Sequence, residues 1–72
     1  MSTDPRTILG LRVRKLRAKR GYSQEKLGEL SGLHRNYIGG IERGERNLAL
    51  LNLVRLAHGL GMTTAKLMST MP

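Results

Sequence analysis

Glycines at positions 21, 32 and 44, with the pair Gly59 and Gly61, cut this chain into short stretches whose apolar residues recur three or four apart. Glycine is entropically costly inside a helix and at ease in the left-handed turn that ends one, so each of these positions reads as a stop. Spacing of three and four gathers side chains onto one helical face, and no stretch alternates as a half-buried strand does. Short helices joined by short loops, an all-α domain, are what such pieces can build.

Each piece carries its own start signal. Asp4 followed by Pro5 predicts an N-cap and first turn, opening a basic amphipathic helix with Leu9, Val13, Leu16 and the stem of Arg20 inward, ended by Gly21. Ser23 caps a second helix over Gln24 to Ser31, with Leu27 and Leu30 as its buried face. After Gly32 a third helix runs from about His34 to Arg43, Ile38 and Ile41 inward, closed by Gly44. Asn47 is expected to cap a fourth helix reaching His58 and carrying Leu50, Leu53, Leu56 and Ala57. Thr63 or Thr64 starts a short fifth helix with Leu67 and Met68. Five helices without a linker or repeat predict a single domain over residues 1–72.

The chain has 72 residues, no Cys, and two His far apart at 34 and 58, so neither disulfides nor a metal site can reinforce the core. Self-association is the remaining support. Leu51, Met62, Leu67, Met68 and Met71 exceed what one small core buries, which places a dimer interface in the part spanning about 48–71. The longest apolar run, Leu48 to Leu51, cannot cross a bilayer, and the expectation is a soluble, cytoplasmic protein without membrane contact. Thirteen Lys and Arg against five Asp and Glu give a formal net charge of +8, so the natural partner is a polyanion. With no Phe, no Trp and only two Tyr, the chain lacks platforms for stacking single-stranded bases, and double-stranded DNA is favoured.

Helices two and three, separated by a glycine turn, have the spacing of a helix-turn-helix over about 24–43, whose second helix enters the major groove. Gly28 faces the helix crossing, and Leu27, Leu33, Ile38 and Ile41 fill the space beneath. His34, Arg35, Asn36, Tyr37, Gly39, Gly40 and Arg43 are left pointing outward. Arg and Asn carry the paired groups that match guanine and adenine edges, and they stand at the start of the helix, where bases come within reach; Arg35 and Asn36 are the expected readers. His34 is expected to contact backbone or groove. Gly39 and Gly40 suggest either that bulk there would obstruct DNA or a tolerated weakness in the helix.

The run SQEKLGELSGLHRNYIGGIERGERN, followed by LALLNLVRLAHGLGM, resembles the Cro/repressor-type (Xre) helix-turn-helix family over about residues 8–69. Its Arg-Asn-Tyr-Ile core and Arg46-Asn47 are similar to the controller proteins of restriction–modification systems. The resemblance implies a compact five-helix lambda-repressor-like fold and a homodimer on a palindromic operator, with dimer contacts from the last two helices. It also implies phosphate contact for Gln24 and Arg43, groove or backbone contact for Tyr37, Arg46 and Asn47, and an ion pair between Arg17 and Glu42. Many relatives have Ala in place of Gly28 and a polar side chain in place of Gly39 or Gly40, so base contacts from those two positions are missing here.

An enzyme lacks support: no Cys, no supported Ser-His-acid arrangement, no metal cluster and no phosphate-cradling loop are present, and neither a cofactor nor a small-molecule ligand is expected. A phage-type repressor, an antitoxin of a toxin–antitoxin pair, or a non-specific architectural binder remain alternatives to the controller reading.

Overall fold

In the computed structural model, residues 3–71 are described and form α1 (Pro5–Lys19), α2 (Gln24–Ser31), α3 (Arg35–Glu42), α4 (Leu50–Gly59) and α5 (Thr64–Leu67), with no strand among them. Residues 1, 2 and 72 of the expected single domain lie outside the described residues. The caps on α1, α2 and α5 are the expected ones. Asp4 accepts the Arg6 backbone N–H at 2.9 Å, Ser23 Oγ that of Lys26 at 2.9 Å, and Thr63 Oγ1 that of Lys66 at 3.1 Å. Each satisfies a donor that the first turn of a helix leaves without a partner.

The core consists of Leu9, Val13, Leu27, Ile38, Ile41, Leu56, Ala57, Leu60 and Leu67. Three of its helix crossings depend on missing side chains. A Cβ on Gly10 of α1 would collide with the Ile41 carbonyl of α3, and one on Gly28 of α2 would stand 2.6 Å from the Leu33 carbonyl oxygen. A Cβ on Gly59 of α4 would lie 2.8 Å from the Ser31 side chain of α2. Gly59 is thus a packing residue inside α4, and the left-handed turn after that helix falls on Gly61, at φ 70°.

Several expectations are corrected. Leu30 is exposed; the second inward position of α2 belongs to Ser31, because the close approach of Gly59 leaves room only for a small residue, whose hydroxyl donates to the Leu27 carbonyl at 2.7 Å. Arg20 is exposed, and the inward stripe of α1 ends at half-buried Leu16. Asn47 does not cap α4, which begins after Ala49 without any side-chain cap. Leu48 is drawn against the core and keeps the chain non-helical up to that point, which also turns Leu50 outward.

Leu67 was expected at a dimer interface, yet it is fully buried. Arg12 of α1 donates to the Leu67 and Lys66 carbonyls, both at 2.8 Å, and pins the C-terminal end of α5 onto the domain. Met62, Met68 and Met71 are half-buried against the same core. The large apolar side chains left exposed are Leu50, Leu51 and Val54 on α4, with Leu11 on α1 and Leu30 on α2.

Candidate nucleic-acid interface

Gly32, at φ 73°, makes the turn between α2 and α3, and the Leu33 N–H returns to the Gly28 carbonyl at 3.0 Å. The next residue, His34, is the N-cap of α3: its Nδ1 accepts the Asn36 backbone N–H at 3.0 Å. This imidazole therefore shapes the first turn, a role its sequence position did not disclose. Arg35 and Asn36 follow immediately and are both exposed, as expected of side chains that must reach a partner.

The far end of α3 is anchored by an ion pair. Arg17 donates from Nε to Glu42 Oε2 at 2.6 Å and from Nη2 to Oε1 at 3.1 Å, while its Nη1 reaches the Tyr22 carbonyl at 2.7 Å. The two side chains are only 16% and 4% exposed, so the pair is largely withdrawn from water and joins α1 to α3. The hydrogen bond from Arg17 to Glu42 raises the pKa of the guanidinium above its already high value. Gln24, at the first position of α2, also donates to Glu42 Oε1, at 3.2 Å.

Gly39 and Gly40 do not form an open surface as expected. Both are buried beneath neighbouring side chains. A Cβ on Gly39 would meet Arg43 Nη1 at 3.1 Å and Gln24 Oε1 at 3.4 Å; one on Gly40 would meet Arg46 Nε at 2.9 Å. The bare stretch of α3 is thus a bed on which Gln24, Arg43 and Arg46 lie. Arg46 also stands over the Tyr37 ring, 5.4 Å from its centroid, and the Tyr37 hydroxyl accepts from Asn52 at 3.3 Å.

The structure therefore brings the expected site residues into neighbouring sets: Gln24 with Arg43 over Gly39, Arg46 over Gly40 and against the Tyr37 ring, and Arg35 and Asn36 beyond His34. Asn47 is exposed beside Arg46 in the loop. Two acids that sequence reading passed over also lie here. Glu25 approaches Arg35 Nη1 at 3.5 Å, and Glu45 accepts from Arg43 Nε at 2.8 Å. Residues 24–47 carry as many acids as bases, the basic excess of the chain lying mainly on α1, and among the described residues no cluster of three metal-ligating side chains occurs. No helix among them is long and apolar enough to cross a membrane.

The helix-turn-helix family profile matches residues 13–67. The chain is 47% identical over 66 residues to the control protein C.SmaI of Serratia marcescens, covering 92% of this chain and 79% of that one. It is 43% identical over 63 residues to the control protein C.BamHI of Bacillus amyloliquefaciens, covering 86% and 78%. The crystal structure of the restriction-modification controller protein C.AhdI from Aeromonas hydrophila matches with a TM-score of 0.83 at 47% identity, over 86% of this chain and 94% of that one.

Proposed function

The chain belongs to the helix-turn-helix family, Xre type, and from that premise we propose that it is a sequence-specific transcriptional regulator of the restriction–modification controller kind, acting in the cytoplasm by binding duplex DNA. The observation that carries this is the pairing of an α3 held by the Glu42 ion pair and the His34 cap with two exposed side chains, Arg35 and Asn36, in its first turn. With the N-terminal end of α3 in the major groove, the Arg35 fork can bond guanine O6 and N7, and Asn36 an adenine edge. Arg43, Arg46 and Gln24 would meet phosphates on either side, with His34, Tyr37 and Asn47 against groove or backbone. Regulation then follows from occupancy of the operator rather than from any chemistry on the DNA.

The regulator acts as a homodimer, and its contact face is Leu50, Leu51 and Val54 on α4, with Met62 and Met68 at the edge. A two-fold pairing sets the two α3 helices about 34 Å apart, one turn of DNA, and demands a palindromic operator. The test is a footprint on the DNA upstream of the gene together with sedimentation. A short symmetric protected site bound by a dimer is the expected result. Sequence-independent protection would favour an architectural binder, and a monomer both free and on the operator would remove the dimer.

The glycine bed yields a second expected outcome. Gly40→Ala removes a helix-weakening residue, worth about 1 kcal/mol, but puts a methyl 2.9 Å from Arg46 Nε. The flexible arginine gives way, so the melting temperature should hold or rise while affinity for duplex DNA falls several-fold. Equal losses of stability and binding would show instead that the site is merely overpacked.

A further inference from the structure

We infer that Glu25 and Glu45 are competitors for DNA built into the binding face, each occupying in the free protein a guanidinium that the proposed function assigns to DNA. The inference rests on that proposed function. Of the five acids in the chain, three have partners outside the DNA face. Asp4 caps α1 and pairs with Arg6, Glu42 is buried under Arg17, and Glu29 lies 3.9 Å from Lys26 one turn away. The remaining two both fall on arginines of the DNA face.

Stability does not explain them. The Arg35 and Glu25 side chains are 63% and 71% exposed, and those of Arg43 and Glu45 are 61% and 55% exposed, a setting in which ion pairs add little. Glu25 gains from the positive end of α2, but that needs no partner in α3. Near a duplex, both carboxylates would face phosphates of the same sign.

Their geometry resembles that of the ligands they displace. Glu45 takes two bonds from Arg43, Nε to Oε2 at 2.8 Å and Nη2 to Oε1 at 3.3 Å, the fork pairing that arginine also offers to a phosphate. Its carboxyl is held below the usual carboxylate range, chiefly by the hydrogen bond from Arg43. Glu25 holds Arg35 by one long contact of 3.5 Å, which a two-point guanine contact replaces readily. The two clips hold affinity below what the arginines alone would support, and operator occupancy then tracks protein concentration over a useful range.

The two clips act differently on sequence. Arg43 meets backbone, so opening its clip costs the same on any duplex. Arg35 must leave Glu25 to read a base, whereas on a non-matching duplex that clip can stay closed. Removing Glu25 should therefore help the operator at least as much as it helps unrelated DNA.

The experiment titrates the footprinted operator and an unrelated duplex of equal length with wild type, E25Q, E45Q and, as a control for net charge, E29Q. E25Q and E45Q should each bind the operator about two- to fivefold more tightly per half-site, beyond any change in E29Q. The excess gain of E25Q should vanish in an R35A background, and that of E45Q in an R43A background. Unchanged affinity, or weaker binding that marks the glutamates as positioning groups, overturns the inference while leaving the functional reading in place. Failure of the wild type to bind any duplex overturns both.

Discussion

Replacing Arg35 with Ala is expected to cost about 1 to 3 kcal/mol of operator affinity per half-site, roughly twice that for a symmetric dimer, and to relax preference at one symmetric pair of positions. The side chain is exposed in the first turn of α3, which follows directly on the Gly32 turn and the His34 cap. Because Gly39 and Gly40 carry no side chains, and their surface is covered by Gln24, Arg43 and Arg46, nothing further along α3 can replace the lost fork. Removing Arg35 also leaves Glu25 facing DNA without its partner. Arg35→Lys restores the charge but not the planar pair of donors, so general affinity should recover further than discrimination does. Selection from randomised operators with wild type and both variants measures this directly. An unchanged preferred sequence for Arg35→Ala would assign the reading to another residue, with Asn36 the first to examine.

Where the sequence was readable, the rule was local. Asp4, Ser23 and Thr63 cap their helices because a short oxygen-bearing side chain ahead of an apolar repeat needs only its own backbone to act. The same rule misplaced Asn47, because a non-local demand, the burial of Leu48, decided where α4 begins. Periodicity identified the inward face of α2 but could not choose between Leu30 and Ser31, since the choice is made by Gly59 from another helix. Counting apolar residues named Leu51, Met62, Leu67, Met68 and Met71 as surplus, but of these only Leu51 is exposed; Leu67 was misplaced because the two Arg12 hydrogen bonds that fold α5 inward span more than fifty residues. At the proposed DNA face, residue types pointed to the arginines. What lies under them, Gly39 and Gly40, and what holds them, Glu25 and Glu45, are facts of assembly.

The Arg17 to Glu42 pair should dominate stability. Glu42→Ala strands a guanidinium that is 16% exposed, removes both of its carboxylate bonds, and takes the acceptor from Gln24 as well. A broken buried pair costs about 3 to 5 kcal/mol, against a total stability for small domains on the order of 5 to 15 kcal/mol. For a domain of this length that corresponds to a fall in melting temperature of about 12 °C or more. DNA binding should fail with it, because α3 loses its tie to α1 and Gln24 is released from its place over Gly39. The partner variant Arg17→Leu should be comparably damaging, since it leaves the Glu42 carboxylate, 4% exposed, buried without its cation. The double variant Arg17→Leu with Glu42→Leu removes both charges and should regain much of the loss, as apolar replacements of buried ion pairs often do. Circular-dichroism melts of the three variants, run at one protein concentration because the proposed dimerisation would couple to stability, provide the measurement. If Glu42→Ala melts with the wild type, the pair is not what holds α3 to α1, and the packing of Gly10 against the end of α3 becomes the principal restraint.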